Sequence, residues 1–503
     1  MVRVAILIVS WNKCRYVCRL LDCLKKLELP DIHADIFLVD NCSTDNTANY
    51  VAEHYPCLTL LRTECNLGGS GGFSYGLSHI SLLDYDYVWL LDDDVTVAPD
   101  ALRHLVRILE KHPDVGAAGS QIRQLDNPEV INEIGGFFDA SKGEVILNYN
   151  NASIEIHDEL SRLCEYQTVD YCAAASLLVR TEVVRKVGGF KNYFLHFDDV
   201  EWCLRIWKEG WKVAAVPKSV IWHMGQQGKT RSWVRYYGTR NALYLMTGIV
   251  DTPIPLLKFI GKTVLISLYH TIMGRFFLSR LYIMAVRDFI NSVEGKMPAD
   301  PPYRVISISE LLSNIKSDNG RVLLSPSVKK DESTFREVFG DWSFLEKLSA
   351  DKELFLLNKK KPFHSNVKFS NKKNGSPEKT CQGSPMTTWF RSETLSGTGY
   401  MEFTPLDADR IFQFWRVPEG NWTRFSYCFY SFFSKKFDIA VTSLKNPDPV
   451  ASVIAKKTYY LIENGVIAAK HTPKSLIFNL TIQCSQWIAV LPSLILKVLK
   501  RRT

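Results

Sequence analysis

An α/β fold with a mostly parallel sheet between helices is predicted for the N-terminal half of this chain of 503 residues. Two observations predict it: β-rich apolar runs alternate with segments of helical spacing, and polar clusters follow the runs. Strands that alternate with helices require crossover connections, which give a parallel sheet covered on both faces. Ligands of such sheets bind outside the carboxyl ends of the strands, so functional residues are expected just after each strand.

The elements follow in order from the start of the chain. Strands are predicted over Val2–Val9, Asp35–Val39, Leu58–Arg62 and Tyr87–Leu91. Helices are predicted over Lys13–Leu27, Thr47–His54 and Phe73–Leu82. The pattern continues with strands over Ala173–Val179 and Val213–Val216 and with a helix over Val200–Glu209.

The most informative motif is Asp92-Asp93-Asp94, which follows an apolar predicted strand. Three adjacent carboxylates after a buried strand repel one another and are costly unless a cation binds them. Because side chains alternate along an extended segment, Asp92 and Asp94 are expected to point the same way. Two carboxylates on one side, together with phosphate oxygens, suit Mg²⁺ or Mn²⁺. The alternative is a solvated acidic turn that caps the next helix.

A second acidic cluster, Asp198-Asp199-Val-Glu201-Trp202, opens a predicted helix. Acids in a first helical turn are ordinary partners of the helix dipole, but three within four positions exceed that need. A lone histidine is most often structural. His223 follows a predicted strand, however, and beside an acidic metal site it is a candidate third ligand.

A glycine-rich turn, Asn66-Leu-Gly68-Gly69-Ser-Gly-Gly, precedes a predicted helix. Its glycines let backbone N–H groups approach a phosphate or a sugar. A dinucleotide-binding fold would place such a turn after the first strand, whereas this one follows the third. A phosphate-binding P-loop is absent, since no Gly-Lys-Ser/Thr follows at the right offset.

These motifs together resemble the family-2 inverting glycosyltransferases, whose fold is the GT-A nucleotide-diphospho-sugar transferase fold. The matching residues are Ser10-Trp11-Asn12, the turn from Asp40 to Asp45, the glycine-rich turn, the aspartate triplet, Asp198-Asp199 and Trp222-His223-Met224. Within that family the set is most similar to galactofuranosyltransferases of galactan synthesis, over about residues 1–241. The stretch Tyr171–Ser176 departs from that subfamily, which has a tryptophan cluster there.

The resemblance implies a role for each matched residue. Asp199 would be the general base, and Asp92, Asp94 and His223 would hold Mn²⁺ or Mg²⁺. The nucleotide-sugar donor would be bound by Ser10, Trp11, Asn12, Asp40, Asn66, Gly68, Gly69 and Asp93. The acceptor side would be formed by Asp198, Glu201 and Trp202.

The implied reaction is the metal-dependent transfer of a sugar, with galactofuranose favoured, to a lipid-linked glycan or a cell-surface polysaccharide precursor. Rhamnosyltransferases share most of the motifs, so a dTDP-rhamnose donor is the alternative. A sugar-nucleotide pyrophosphorylase would need Arg and Lys in a glycine-rich loop after the first strand, which Ser10-Trp11-Asn12 lacks. A non-catalytic nucleotide-sugar-binding subunit is disfavoured by the intact set of acids and His223.

Four segments are expected, because the chain is too long for one ordinary core. A GT-A catalytic domain takes residues 1–245, and a basic amphipathic helical region, packed on the protein or lying on a membrane, takes 246–320. A Lys-rich linker or loop region takes residues 321–386. A C-terminal domain of unassigned fold takes residues 387–503 and ends in an amphipathic helix.

Charge and cysteine content predict the surroundings. The formal net charge of +8, from 61 Lys+Arg and 53 Asp+Glu, favours an anionic surface without requiring nucleic acid. The last helix ends in a cationic tip, which suits an anionic inner leaflet, although docking on the protein is nearly as well supported. The sequence shows no secretory signal, and its 12 Cys lack zinc-type spacing. A cytoplasmic enzyme, peripheral on the inner face of the cell membrane, is therefore predicted, with its oligomeric state left open.

Overall fold

The computed structural model describes residues 1–156, 164–224, 233–298, 305–317, 322–324, 354–358, 413–416, 437–443, 455–462, 465–470 and 473–500. The Lys-rich segment 359–379 lies outside the described residues. Helices in the described part are α1 (Cys14–Leu24), α2 (Thr47–His54), α3 (Gly68–Ile80), α4 (Ala101–Lys111), α5 (Thr181–Val187), α6 (Asp198–Lys208), α7 (Val234–Ile249), α8 (Pro253–Ile272), α9 (Phe276–Ile290), α10 (Ile308–Ser317) and α11 (Pro473–Lys500).

Strands up to residue 223 are β1 (Val2–Ser10), β2 (Ile32–Asp40), β3 (Thr59–Arg62), β4 (Tyr87–Asp92), β5 (Val95–Val97), β6 (Val115–Gln124), β7 (Val130–Glu133), β8 (Gly136–Asp139), β9 (Glu144–Leu147), β10 (Ala152–Ser153), β11 (Gln167–Val169), β12 (Ser176–Arg180) and β13 (Lys212–His223). Later strands are β14 (Val305–Ile306), β15 (Val322–Leu324), β16 (Leu354–Asn358), β17 (Gln413–Arg416), β18 (Phe437–Ser443), β19 (Ala455–Ile462) and β20 (Gly465–Lys470).

The N-terminal part is built on one sheet of eleven strands, with the main order β10-β7-β6-β12-β4-β1-β2-β3. Strand β1 is parallel to both β2 and β4, and β2 is parallel to β3. Strand β12 enters between β4 and β6 in the antiparallel sense. The predicted α/β fold with a mainly parallel sheet is therefore confirmed.

Successive side chains of the central strands point to opposite faces of this sheet, and they pack into one apolar layer on each face. In β4, Val88 and Leu90 join one layer, whereas Trp89 and Leu91 join the other. Helix α3 covers the first face, and α1 and α4 cover the second. Burial on both faces explains why β4 reads as a continuous apolar run rather than an alternating one.

Several boundaries differ from the sequence prediction. Helix α3 begins at Gly68 rather than Phe73, so the glycines belong to its first turns. Small residues are needed there because a Cβ on Gly72 would lie 2.4 Å from Val9 Cγ1. Strand β13 has 12 residues rather than the four expected, and a register shift between Val216 and Val220 lets it resume after its interruption.

A helical layer follows the sheet domain and includes the end of the chain. Helix α9 is buried along most of its length, between α7 on one side and α8 and α11 on the other. Trp487 of α11 is 2 % exposed, and its Nε1 donates a hydrogen bond of 3.1 Å to Ser267 Oγ in α8. Near the other end of α11, the Lys497 ammonium donates to the backbone carbonyls of Phe289 and Ile290. The terminal helix is therefore docked on the protein.

A second sheet of seven strands has the order β14-β20-β19-β18-β15-β16-β17. Its central pairs are parallel, and β20 and β14 are added in the antiparallel sense. It takes strands from both sides of the boundary expected at residues 386 and 387.

Among the described residues, Leu476–Leu499 within α11 is the one stretch long and apolar enough to cross a membrane, and 22 % of it is buried in the protein.

Candidate active site

The carboxyl ends of three neighbouring strands lie at one edge of the sheet. Ser10 at the end of β1 is in register with Asp40 at the end of β2, and Val9 is in register with Asp92. Asp40 is 3 % exposed, and Arg62 lies near it across the sheet, with Arg62 Nε 4.0 Å from Asp40 Oδ2. The residues that the sequence predicts after the strands are thus brought together at one place.

Asp92, Asp94 and His223 form the cluster that the alternation of side chains predicts. Strand β13 pairs with β5 so that His223 faces this turn, and its Nε2 lies 3.0 Å from Asp94 Oδ1 and 3.8 Å from Asp92 Oδ2. One ligand atom from each residue lies within 4.8 Å of the other two. Two carboxylates and an imidazole at this spacing fit a divalent cation such as Mn²⁺.

The three residues of the cluster shift one another's pKa values. Burial of its carboxyl raises the pKa of Asp92, although 41 % of its side chain is exposed. Burial also works against ionised Asp94, but the hydrogen bond and charge of His223 outweigh it and hold the pKa of Asp94 well below its usual range. The same carboxylates raise the pKa of His223 against the effect of burial. A divalent cation bound here would take the place of the imidazole proton as the partner of the two carboxylates.

Lys13 is a site residue that the sequence reasoning missed. Its ammonium donates hydrogen bonds of 2.8 Å to Asp93 Oδ1 and 2.9 Å to Asp94 Oδ2. These carboxylates raise the pKa of Lys13, although burial works in the opposite direction. Burial raises the pKa of Asp93 to about 6 despite this partner. The available signal was position, because Lys13 directly follows Ser10-Trp11-Asn12 at the end of β1.

The two predicted donor-binding turns are held together by asparagine side chains. Asn12 Oδ1 accepts hydrogen bonds from the backbone N–H groups of Thr44 (2.7 Å) and Asp45 (3.2 Å), which fixes the turn after β2. Asn41 Nδ2 donates to Gly68 O (2.9 Å), and Asn66 Oδ1 accepts from the Gly68 N–H (2.8 Å). The indole of Trp11 is 49 % exposed at the rim of this region.

The start of α3 lies against the loop that leads to α6. Gly68 has a φ of +72°, and a Cβ on it would lie 2.2 Å from Phe194 O. A Cβ on Gly69 would lie 3.9 Å from Asp198 Oδ2, so the glycine-rich turn and the acidic helix start face each other. Glycine is required at residue 68 by both its φ and this close approach.

The loop before α6 has an unusual backbone that a buried asparagine stabilises. Phe194, His196 and Phe197 have positive φ values of 69°, 65° and 62°. Asn241 Nδ2 of α7 donates hydrogen bonds to Tyr193 O (3.1 Å), Leu195 O (2.7 Å) and His196 O (3.0 Å). The sequence alone gave no signal for this contact, which joins residues more than 40 positions apart.

Asp199 lies at the first turn of α6 and is the candidate base. Its Oδ1 accepts a 2.8 Å hydrogen bond from the Val200 N–H, and burial raises its pKa against the effect of this and other backbone hydrogen bonds. Burial and the charge of Asp199 raise the pKa of Asp198. The charge of Asp199 also acts on Asp92, so the acidic helix start and the metal-type cluster share one cleft.

A buried pair, Glu133 and Tyr171, borders Asp199. The Tyr171 hydroxyl donates a 2.9 Å hydrogen bond to Glu133 Oε2. Burial raises the pKa of Glu133 to about 7, with a smaller contribution of the same sign from the Asp199 charge. In the sequence, Tyr171 stands out only as part of the stretch that departs from the related subfamily. Glu133 was not predicted as a site residue.

Glu201 and Trp202 are not brought to the cleft, which corrects their expected place on the acceptor side. Trp202 is 0 % exposed, stacks on Phe190 and donates from Nε1 to Gly188 O. Glu201 is paired with Lys191 (2.8 Å) and Arg205 (2.9 Å) away from Asp199. Successive helical residues point in different directions, so a run of acids cannot all face one cleft.

The GT-A glycosyltransferases have this arrangement: a mainly parallel sheet carries a carboxylate pair at its strand ends, and a glycine-rich helix start faces an acidic helix start. Over residues 2–242 the chain matches the family model described as "Glycosyltransferase like family 2". The N-terminal half of the chain therefore matches this glycosyltransferase family, as the motif resemblance predicts.

Curated relatives include galactofuranosyltransferases, a rhamnosyltransferase and an abequosyltransferase. The chain is 27 % identical over 203 residues to galactofuranosyltransferase GlfT2 of Mycobacterium tuberculosis, covering 37 % of this chain and 31 % of that protein. It is also 27 % identical over 203 residues to the N-acetylglucosaminyl-diphospho-decaprenol L-rhamnosyltransferase of M. tuberculosis, covering 37 % and 66 %. The chain spans about a third of the length of the galactofuranosyltransferases GlfT2 that it matches.

Solved structures with some similarity include TarS and a mannosyltransferase. Residues 1–349 of Staphylococcus aureus TarS match at a TM-score of 0.38 and 14 % identity, covering 58 % of this chain and 81 % of that one. Mannosyltransferase PcManGT of Pyrobaculum calidifontis matches at a TM-score of 0.36 and 18 % identity, covering 62 % and 79 %.

Proposed function

We propose that this chain is a metal-dependent inverting glycosyltransferase that moves galactofuranose from a UDP-linked donor to a lipid-linked glycan. The observation that carries the proposal is that Asp199 and the Asp92, Asp94 and His223 cluster face one cleft beside the glycine-rich start of α3. A donor diphosphate and an acceptor hydroxyl have to meet in such a cleft for a direct displacement.

Each side chain has a task that follows from its position. Asp92, Asp94 and His223 would hold Mn²⁺ or Mg²⁺, which when bound stabilises the charge that develops on the diphosphate leaving group. The dipole at the start of α3 would favour the same negative charge. Asp199 accepts the proton of the acceptor hydroxyl as its oxygen attacks the anomeric carbon. One displacement of this kind inverts that carbon and needs no covalent intermediate.

The raised pKa of Asp199 suits it to this proton transfer. A carboxylate that burial makes more basic is a stronger proton acceptor, and the start of α6 still favours its ionised form. Asp198 also lies in the cleft, and burial and the charge of Asp199 raise the pKa of this carboxyl as well. Asp199 is the proposed base because the motif resemblance assigns it this role.

The name of the rhamnosyltransferase relative, which contains a diphospho-decaprenol, supports a lipid-linked acceptor, and the names leave one alternative for the donor. Galactofuranosyl and rhamnosyl transferases both match the catalytic domain at the same identity. A dTDP-rhamnose donor is therefore the second candidate. A lipid-linked acceptor places the reaction at a membrane, and we propose its cytoplasmic face.

The decisive experiment measures nucleotide release from UDP-galactofuranose and from dTDP-rhamnose, with Mn²⁺ and a lipid-linked acceptor extract. We expect Mn²⁺-dependent UDP release that falls about 100-fold or more in Asp199→Asn, because general-base assistance is lost. Asp126→Asn, a change at an exposed aspartate, is the matched control. Release from the rhamnose donor alone would keep the mechanism and change the donor, and no release from either would contradict the proposal.

A further inference from the structure

Helix α8 has two apolar faces, and the protein covers only one of them. Leu256, Ile260 and Ser267 are buried against the protein. The opposite face repeats at helical spacing along the whole helix, and its large apolar side chains are exposed: Ile254 (58 %), Leu257 (38 %), Leu265 (69 %), Tyr269 (48 %) and Ile272 (47 %). Lys258 and Lys262 lie on the same outward side.

Helix α11 repeats this arrangement beside α8. Gln483, Trp487 and Leu494 are buried against the protein. Its outward side carries exposed apolar side chains: Ile477 (67 %), Phe478 (64 %), Ile488 (71 %), Ile495 (39 %), Leu496 (54 %) and Leu499 (48 %). The two helices hold eleven of the nineteen large apolar side chains that are exposed in the described part of the chain. An apolar surface concentrated in this way marks an interaction site.

The two helices are antiparallel neighbours, so their outward stripes form one surface. Trp487 donates to Ser267 near one end, and Val498 lines a small cavity with Pro253 and Leu256 near the other. Neither helix contains an aspartate or a glutamate, while α8 contains Lys258 and Lys262 and α11 contains Lys474, Lys497 and Lys500. A partner for this surface must be apolar within and negatively charged at its boundary.

The hairpin of β8 and β9 continues the surface towards the cleft. Phe137 and Ile146 are directly opposite each other in the hairpin, and they are 42 % and 52 % exposed. The hairpin is attached to α8 by an ion pair between Glu144 and Lys262. In the residue pair next to Glu144, the ring of Phe138 meets that of Phe197 edge-on, with the ring centroids 6.3 Å apart, and Phe197 directly precedes Asp198 and Asp199.

We propose that α8, α11 and the hairpin of β8 and β9 form a face that lies on an anionic lipid bilayer and holds the acceptor side of the cleft at the lipid surface. This inference rests on the proposed function in one respect, the lipid-linked nature of the acceptor. Apolar side chains enter the boundary between head groups and acyl chains, and the exposed Lys258 and Lys262 of α8 lie beside anionic head groups. The buried stripe of α11 keeps that helix on the protein, so it does not cross the bilayer.

The experiment measures co-sedimentation of the full chain with phosphatidylcholine vesicles, with and without phosphatidylglycerol, at low and high salt. We expect binding that needs phosphatidylglycerol and weakens with salt. Leu265→Gln/Ile488→Gln should weaken it about ten-fold or more, because two apolar side chains no longer enter the bilayer. Leu82→Gln/Leu83→Gln, a pair that is exposed outside this face, is the matched control and should bind like the wild type.

The rise in melting temperature caused by Mn²⁺ with UDP is measured on the same proteins and reports the cleft alone. If Mn²⁺ with UDP did not raise the melting temperature of the wild type, the result would count against the proposed function. It would not count against the proposed lipid-binding face. Unchanged sedimentation of Leu265→Gln/Ile488→Gln, or an equal loss in the control pair, would overturn the face. Retention in the bilayer after carbonate washing would show a spanning helix, and a dimer that the double variant dissociates would show a second copy as the partner. Either result would overturn the proposal.

Discussion

At the scale of single residues, Lys13 acts as an internal cation for the aspartate triplet. Its ammonium contacts both Asp93 and Asp94 while 36 % of its side chain stays exposed. Without it, two carboxylates at the end of β4 would lie close together with only His223 to offset them. A bound divalent cation would supply the same compensation, so the importance of Lys13 for stability should depend on metal.

We predict that Lys13→Met lowers the free energy of unfolding by about 2 kcal/mol in EDTA, because partly buried carboxylates lose their partner. Saturating Mn²⁺ should shrink the difference from the wild type. Urea unfolding in both conditions measures it, and Lys25→Met, at an exposed lysine that pairs with Asp22, is the control. A variant as stable as the wild type in EDTA would show that Lys13 has no such role.

Glu133 gives a prediction for pH. Burial raises its pKa in the folded protein to about 7, above the ordinary value of 4.5, so folding favours its protonated form. Its contribution to stability is therefore present below the unfolded pKa and is lost as the pH rises from about 4.5 to about 7. Glu133→Gln keeps an acceptor for the Tyr171 hydroxyl and removes this titration.

In the wild type the Glu133 titration should remove up to about 3 kcal/mol of stability between pH 5 and pH 8, and Glu133→Gln should lose correspondingly less. Denaturant unfolding at both values, with EDTA present, measures this. Glu129→Gln, at an exposed glutamate, is the control and should follow the wild type. Parallel pH profiles for Glu133→Gln and the wild type would refute the assignment.

At the scale of elements, the loop between Tyr193 and Phe197 depends on α7. Three of its residues have positive φ, a conformation that costs free energy for residues other than glycine, and Asn241 bonds three of its carbonyls. This loop sets the direction in which α6 starts and hence the position of Asp199. Asn241 is therefore a positioning residue rather than a catalytic one.

We predict that Asn241→Ala lowers stability by about 1–3 kcal/mol, because buried carbonyls lose their donors. It should also reduce sugar transfer about ten-fold or more through misplacement of Asp199. The change should appear in kcat, with the affinity for UDP and Mn²⁺ unchanged, which separates positioning from donor binding. Asn291→Ala, at an exposed asparagine, is the control, and full kcat in Asn241→Ala would exclude the role.

The sequence predicts a helix or a strand well when the residues of that segment determine it. It predicts poorly an element that depends on contacts with distant residues. Helix α2 has the predicted bounds. The apolar run of β4 is a strand as predicted, because burial on both faces of the sheet gives a continuous run of apolar residues. Helix α3 was predicted to start five residues late, since glycines that disfavour an isolated helix are required by contact with Val9 and Phe194. Tertiary contacts of this kind leave no local pattern.

The same distinction applies to the site. Asp92, Asp94 and His223 were identified from residue type and position relative to strands, and the structure brings them together. Lys13 and Asn241 act through contacts made only after folding. Asn241 bonds the loop before α6 from 45 to 48 residues away. Trp202 was expected on the acceptor side because it follows the acidic motif closely in the sequence. Closeness in the sequence does not determine the direction in which a side chain points from a helix.

At the scale of the whole molecule, the last helix completes the layer that begins after the catalytic domain. The hydrogen bond from Trp487 to Ser267 joins residues 220 positions apart. Trp487 also packs with the core that extends from the sheet to α9. The C-terminal helix is thus part of the same folded body as the glycosyltransferase domain.

We predict that Trp487→Phe and Ser267→Ala are coupled by about 1 kcal/mol in a double-mutant cycle of unfolding free energies, since each change alone removes the same hydrogen bond. Ser267 also bonds Ser279, so the cycle isolates the contribution shared with Trp487. Trp487→Phe with Ser78→Ala, at an exposed serine of α3, is the control pair and should be additive. Additivity in the first cycle would refute the docking contact.

The long path between α9 and α11 has a consequence for how the enzyme is made. About 180 residues separate Ile290 from Pro473, which a ribosome needs about 10–40 s to translate. During this interval the nascent chain already contains the catalytic sheet, while the sides of α8 and α9 that α11 covers remain bare. The helical layer can therefore be completed only after residues 473–500 have been synthesised, later than the sheet domain that it covers.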